Sequence, residues 1–170
     1  MDHFARLGLP AALDLDPAAL DRAYFALQRR WHPDRFVSRP AEERARASGE
    51  AAALNDAYRT LKDPLGRAVY LAALNGVDLP GDGRTIDDPE LLLEAMEARE
   101  ELHEATTAEA VDRLAERARG QVRTALDGLA SLFLAGDKPA IRKALLRLRY
   151  LDKFAEEARA RRINIERPKA

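Results

Sequence analysis

The residues best suited to acid–base chemistry lie in one short segment, where His32, Pro33 and Asp34 follow one another. An imidazole beside a carboxylate can act as a general base, because imidazole titrates near neutral pH. The proline between them predicts a solvent-facing turn with no water-excluding pocket, and no motif for nucleophilic or phosphate chemistry occurs in the chain. We therefore expect no catalytic residue and no enzymatic activity.

The number and spacing of cysteine and histidine residues do not indicate a metal or cofactor site. The chain contains no cysteine, which excludes a disulfide framework, a thiolate zinc site and an iron–sulfur cluster held on its own thiolates. Its three histidines, His3, His32 and His103, lack metal-ligand spacing. We expect neither a bound metal nor a cofactor.

The overall composition indicates a protein with much charged surface and a modest core. The 170 residues are 34% charged and 6% aromatic, and the formal net charge is −1 at pH 7. There is no basic excess to indicate nucleic-acid binding, and no apolar run approaches the ~20 residues of a membrane-spanning helix. The N-terminal sequence resembles neither a signal peptide nor a transit segment. We expect a cytosolic protein whose partners are neither nucleic acids nor membranes.

Two helices must position the His-Pro-Asp segment. Asp16-Pro17 is a typical helix start, and Pro33 ends that helix because it forces the preceding residue out of helical geometry. The apolar stripe of this helix comprises Leu20, Tyr24, Leu27 and Trp31. A second helix, from about Pro40 to Asp63, has the stripe Ala47, Ala51, Leu54, Tyr58 and Leu61. Two such helices joined by a short loop predict an antiparallel hairpin with the His-Pro-Asp segment at its tip.

A glycine- and proline-rich stretch at residues 76–83 separates this hairpin from three further predicted helices, at residues 89–105, 108–135 and 139–163. Short connections between long amphipathic helices predict an up-down-up bundle. The apolar stripe of the last helix is Ile141, Leu145, Leu148, Asp152 and Ala155. The predicted fold is therefore all-α, with a helical hairpin unit at residues 1–75, a linker at 76–87 and a three-helix bundle at 88–170.

The helix before the His-Pro-Asp segment carries arginines off its apolar stripe, and such a basic face beside a rigid turn suits docking to a partner protein. At this point the N-terminal unit resembles the J-domain, the module that engages DnaK-class ATPase chaperones. The resemblance is carried by Phe4, Leu7-Gly8-Leu9, the His-Pro-Asp segment and residues 55–64. It implies a chaperone-binding surface made of Arg22, Arg29, Arg30, His32, Pro33, Asp34 and Arg35.

The helix predicted at residues 89–105 has two apolar faces. At about 100° per residue, one face collects Leu91, Ala95, Ala98, Leu102 and Ala105, which suit close packing inside the bundle. The other collects Leu92, Leu93 and Met96, edged by Glu97, Glu100 and Glu104. This second face is either a site for a partner or a surface covered by another part of the chain, such as the hairpin unit.

Charge is distributed unevenly over the C-terminal unit. Residues 87–104 contain eight acids and one base, whereas residues 138–170 contain eleven bases and four acids. We interpret this as mutual neutralisation of neighbouring bundle helices. The alternative is a basic C-terminal tail that contacts acidic surfaces or nucleic acid.

Besides the His-Pro-Asp segment, short characteristic stretches occur along nearly the whole chain: Met1-Asp2, Gly8-Leu9-Pro10, Asp63-Pro64, Arg67-Ala68, Tyr70-Leu71, Arg99-Glu100-Glu101-Leu102 and residues 148–153. In these stretches the chain resembles one family of J-proteins, the HscB family of iron–sulfur cluster assembly. This resemblance implies that the J-domain docks an HscA-like DnaK-class chaperone and stimulates its ATPase, while the C-terminal bundle delivers an IscU-like scaffold. The scaffold-binding residues carried over are Leu92, Leu93, Met96, Glu97, Glu100, Glu104 and Tyr150. The absence of the cysteines found ahead of the J-domain in some eukaryotic relatives favours a bacterial protein.

Two other classes of function fit the sequence less well than this one. A general J-protein that holds unfolded chains would use the bundle as its substrate site, but the Gly/Phe-rich and zinc-ribbon regions typical of that class are missing. A redox protein carrying its own cluster is excluded by the lack of cysteine.

Overall fold

The computed structural model describes residues 1–81 and 87–166. These residues form two compact units, Met1–Asn75 and Gly76–Ala170, and are helical without any strand. The part of the predicted linker at 82–86 and the end of the chain at 167–170 lie outside the described residues. The all-α fold class predicted from the sequence is confirmed.

The first unit contains four helices: α1 (His3–Leu7), α2 (Pro17–Trp31), α3 (Ala41–Lys62) and α4 (Pro64–Leu74). Asp16 caps α2, since its side chain accepts a hydrogen bond from Ala18 N, and Pro17 follows as the first helical residue. α1 and α4 pack on α3 and supply part of the seam of the α2–α3 hairpin. The core of this unit comprises Phe4, Leu7, Leu20, Leu54, Leu61 and Ala68.

The second unit contains α5 (Pro89–Glu104), α6 (Ala108–Ala135) and α7 (Lys138–Glu166). α6 and α7 form a long antiparallel pair, and α5 packs along α7. The turn between α6 and α7 is made by Gly136, whose φ of 68° is left-handed and suits glycine best. The predicted bounds of all three helices are matched to within three residues at each end.

The apolar stripe predicted for the last helix is correct in its first half and wrong in its second. Ile141, Leu145 and Leu148 are buried, whereas Asp152 is exposed. The core continues instead through Leu151, Phe154 and Ala158. The reason is that this part of α7 packs against both α5 and α6, so its buried arc is wider than the seam between two helices.

Residues 76–81, predicted as part of a linker, are packed into the second unit. Val77 is buried, and Arg142 on α7 donates a hydrogen bond from Nε to the carbonyl oxygen of Asp78 at 3.1 Å. Arg149 donates to the carbonyl oxygen of Pro80 at 2.7 Å. This stretch therefore belongs to the bundle and is not a free spacer.

Candidate functional site

The His-Pro-Asp segment forms a short, tightly bonded turn after α2. Pro33–Phe36 is one turn of 3-10 helix, and His32 caps it, because Nδ1 of His32 accepts a hydrogen bond from Asp34 N at 3.4 Å. With Nδ1 used as an acceptor, a neutral His32 carries its ring proton on Nε2 and can donate from that atom. Both side chains remain exposed. The turn therefore has a defined geometry while its polar groups stay available to a partner.

The tip of the hairpin is also held by an aromatic and arginine cluster. Trp31 stacks on Phe36, with ring centroids 6.1 Å apart and planes 10° from parallel. The guanidinium groups of Arg30 and Arg46 lie 5.5 and 5.9 Å from the Trp31 ring centroid, within range of cation–π attraction. Trp31 is therefore a half-buried platform at the tip and not a core residue of the α2–α3 seam.

The structure brings the predicted chaperone-binding residues together on one exposed surface of α2 and the turn. Arg22 pairs loosely with Asp16 at 3.4 Å, and Arg35 donates to the carbonyl oxygen of Arg29 at 3.1 Å. Within the described part of the chain, Arg29 and Arg30 have no acidic partner. These positive charges are thus free to meet an acidic surface.

The second site predicted from the sequence lies on α5, where the two faces differ in burial as expected. Leu91, Ala95 and Leu102 are buried, whereas Leu93 and Met96 are 57% and 60% exposed. Leu92 is half-buried. Within the described residues of the second unit, the bundle leaves Leu93 and Met96 open to solvent, and the assignment of this face to a partner stays a prediction.

Only some of the acidic side chains on and just before α5 form ion pairs. Cations of α7 and α6 pair with five of the eight acids at residues 87–104, which confirms mutual neutralisation of the bundle helices. The pairs are Arg142–Asp87, Lys143–Asp88, Lys143–Glu90, Arg147–Glu94 and Arg117–Glu101. The remaining acids, Glu97, Glu100 and Glu104, have no ion pair or hydrogen bond among residues 1–81 and 87–166. These three are the glutamates that edge Leu93 and Met96.

Tyr150 occupies a different position from the other predicted scaffold-binding residues. It lies on α7, is only 9% exposed, and lines a groove of about 670 Å³ between α5 and α6. Burial raises the pKa of its hydroxyl, and the negative charge of Glu94 adds to this effect. The hydroxyl has no hydrogen-bond partner in the described residues. Glu97 also lines this groove, so the groove adjoins the exposed face of α5.

Sequence reasoning missed the α6 wall of this groove. Gln121 and Thr124 line it opposite the glutamates of α5, and a side chain added at Gly120 would meet no atom within 4 Å. No sequence signal points to these residues, because they become neighbours of α5 only in the folded bundle.

Neither metal binding nor membrane crossing has structural support. No group of three or more histidine or acidic side chains in the described ranges could hold a metal ion. Every helix within those same ranges is too short or too polar to pass through a lipid bilayer.

Several known proteins resemble this chain over most of its length. The family model described as "HSCB C-terminal oligomerisation domain" matches residues 87–159. The "Co-chaperone protein HscB homolog" of Cupriavidus taiwanensis is 42% identical over 159 residues, which cover 92% of this chain and 90% of the relative. The homologue from Burkholderia multivorans is 39% identical over 161 residues, covering 93% and 92%.

Solved structures agree with these relatives. HscB from Vibrio cholerae superposes with a TM-score of 0.83 at 34% identity, covering 97% of this chain and 99% of that one. The human co-chaperone HscB gives a TM-score of 0.88 at 29% identity, covering 96% and 83%. The helical hairpin with His-Pro-Asp at its tip defines the chain as a J-domain protein. More particularly, the chain belongs to the HscB family, the J-type co-chaperones of iron–sulfur cluster assembly.

Proposed function

We propose that this chain is an adaptor in iron–sulfur cluster assembly in the bacterial cytosol. Its J-domain, residues 1–75, stimulates the ATPase of an HscA-like DnaK-class chaperone through the α2 arginines and His32, Pro33 and Asp34. Its C-terminal unit, residues 88–170, binds an IscU-like scaffold and delivers it to that chaperone. The cluster itself travels on the scaffold as cargo.

The observation that carries this proposal is the pattern on α5. Two apolar side chains, Leu93 and Met96, are exposed beside three glutamates that pair with no cation among the residues the structure describes. An apolar patch with a charged rim is the usual composition of a docking surface, and exposed acids select a partner with basic residues around an apolar contact. Tyr150, in the adjoining groove, supplies an aromatic wall for a side chain that enters from this face.

Self-association through the same face is the second candidate, because the matched family model is described as an oligomerisation domain. A symmetric dimer would place this patch against its own copy, since a two-fold interface uses the same surface twice. Glu97, Glu100 and Glu104 of both copies would then lie in one interface without a neutralising cation from the same patch. This like-charge repulsion favours a basic heterologous partner.

The experiment that tests the proposal measures ATP hydrolysis by the DnaK-class chaperone of the same organism in single turnover. Four mixtures are compared: chaperone alone, with this chain, with the scaffold, and with both. We expect the chain alone to accelerate hydrolysis and the chain with scaffold to exceed the sum of the separate effects. A combined rate no greater than that sum contradicts delivery, and no acceleration by the chain contradicts the J-domain role. Sedimentation of the chain alone detects self-association.

A further inference from the structure

One aromatic side chain is exposed on the helix that carries the docking arginines. Phe25, on α2, is 51% exposed. It follows Arg22 by three residues and precedes Arg29 by four, so at about 100° per residue it lies within ~60° of either arginine around the helix. Phe25 therefore lies beside the basic face of α2, with one arginine before it and one after it along the axis and both on the same side of it around the helix.

The ring of Phe25 has little structural role within the first unit. The seam between α2 and α3 is made by other residues of α2, among them Leu20, which is buried, and Tyr24, which stacks on Tyr58 with centroids 3.9 Å apart. The ring contact of Phe25 is with its chain neighbour Tyr24, at 5.2 Å. A phenyl ring half in water contributes less to the fold than a buried one and is available to a partner.

The charges around Phe25 indicate what kind of surface would cover it. Arg29 has no acidic partner among the described residues, and the one acid near the middle of the helix, Asp21, accepts from the hydroxyl of Tyr58 at 2.7 Å. The exposed surface is thus an aromatic ring with cations along one side, and the acid on its other side is already held by Tyr58. Interfaces commonly combine an aromatic anchor with arginines, and both residue types dominate binding free energy.

We propose that Phe25 is the apolar anchor of the α2 docking surface, and that the DnaK-class chaperone receives it in an apolar recess bordered by carboxylates. This inference rests on the proposed function, because it names a contact of the same docking event. Arg22 and Arg29 supply orientation and attraction, whereas Phe25 supplies affinity that does not depend on salt. A second copy of the chain is a poorer occupant, since a two-fold contact would oppose arginines with arginines.

The test compares full-length wild type with Phe25→Ala, Phe25→Met, Arg29→Ala and Leu74→Ala. Leu74 is the matched control, because it is an apolar residue of the same unit with a similar exposure of 47%. For each protein, ATP hydrolysis by the chaperone is measured over a range of co-chaperone concentrations at low and high salt. Melting temperature and sedimentation are recorded for every variant.

For Phe25→Ala we expect the concentration for half-maximal stimulation to rise about tenfold or more, as for interface anchors. The rise should be similar at low and high salt, whereas that for Arg29→Ala should shrink at high salt because screening weakens its contribution in the wild type. Maximal stimulation and melting temperature should stay unchanged, since the His-Pro-Asp turn and the core are untouched. Phe25→Met should keep most of the affinity because it keeps an apolar side chain, and Leu74→Ala should match wild type.

Other outcomes overturn the inference in distinguishable ways. If Phe25→Ala matches wild type while His32→Gln fails to stimulate, the anchor is wrong and the J-domain role stands. If Phe25→Ala dissociates a dimer of this chain and leaves stimulation of the chaperone ATPase unchanged, the ring mediates self-association. If wild type itself does not stimulate the chaperone, the proposed function and the inference are both wrong.

Discussion

Arg35 donates a hydrogen bond from Nη1 to the carbonyl oxygen of Arg29, six residues earlier, at 3.1 Å. This contact fastens the turn after Pro33 to the last turn of α2, whose terminal carbonyl oxygens have no partner within the helix. The hydrogen bond from Arg35 N to the carbonyl oxygen of His32, at 3.0 Å, closes the same turn from the other side. The geometry of the proposed chaperone-binding loop is thus held by the Arg35 side chain and by the backbone, in addition to the cap from the His32 imidazole.

Replacement of His32 tests the role of this loop. We expect His32→Gln to abolish stimulation of the chaperone ATPase, while helical content and melting temperature stay at wild-type values, because the side chain is exposed. His103→Gln is the matched control, since His103 is an exposed histidine of the other unit. Normal stimulation by His32→Gln would contradict the J-domain role.

Replacement of Leu93 and Met96 tests the exposed face of α5. We expect the double alanine variant to lose scaffold affinity by about 2 kcal/mol or more for each anchor, without strict additivity, and to keep its melting temperature. Leu91→Ala is the control from the buried face of the same helix, at 0% exposed, and should lower stability by ~2–5 kcal/mol. Calorimetric binding and thermal unfolding separate the two effects. Normal scaffold binding by the double variant would contradict the assignment of this face as the scaffold-binding site.

The role of the charged rim of α5 is tested by comparing substitutions of its unpaired glutamates with substitutions of glutamates that form ion pairs. We expect Glu100→Gln with Glu104→Gln to slow association with the scaffold about three- to tenfold at low ionic strength, because unpaired charges steer a basic partner. The control is Glu94→Gln with Glu101→Gln, which removes the same net charge from acids already paired with Arg147 and Arg117. Stopped-flow rates over a range of salt concentrations measure both. Equal losses for the two pairs would show that only net charge matters.

The pair Arg142–Asp87 predicts a pH dependence. Arg142 donates to the Asp87 carboxylate at 2.5 Å, and this hydrogen bond lowers the pKa of Asp87 below its ordinary value. A lowered pKa in the folded state stabilises the fold at pH values above the ordinary one, and the contribution is lost as the pH falls through the lowered value. We expect Arg142→Gln to return the pKa of Asp87 towards its ordinary value in an NMR titration.

The control for this titration is Arg123→Gln, which removes one positive charge from α6 without breaking a pair in the described residues. The melting temperatures of wild type and Arg142→Gln should differ at neutral pH and converge in acid. An unchanged pKa of Asp87 in Arg142→Gln would contradict the assignment.

Much of this architecture could be predicted from the sequence because its signals are local. Aspartate–proline pairs start α2, α4 and α5, and the apolar period separates the buried face of α5, with Leu91, from the exposed face, with Leu93. Which acids of α5 are neutralised could not be predicted, since that depends on the rotation of α5 about its axis on α7. The burial of Tyr150 depends in the same way on the groove between α5 and α6, which is a tertiary feature without a sequence period.

The end of α5 is completed by a residue far along the chain. Arg161, near the end of α7, donates from Nη2 to the carbonyl oxygens of His103 and Ala105, at 2.8 and 3.0 Å. These oxygens have no helical donor left, so the guanidinium of Arg161 replaces the cap that the local sequence lacks. During synthesis, residue 161 emerges from the ribosome more than fifty residues after α5 is complete. The helix proposed to hold the scaffold is therefore among the last parts of a nascent chain to become stable, and we expect a chain truncated before residue 161 to have a frayed end of α5.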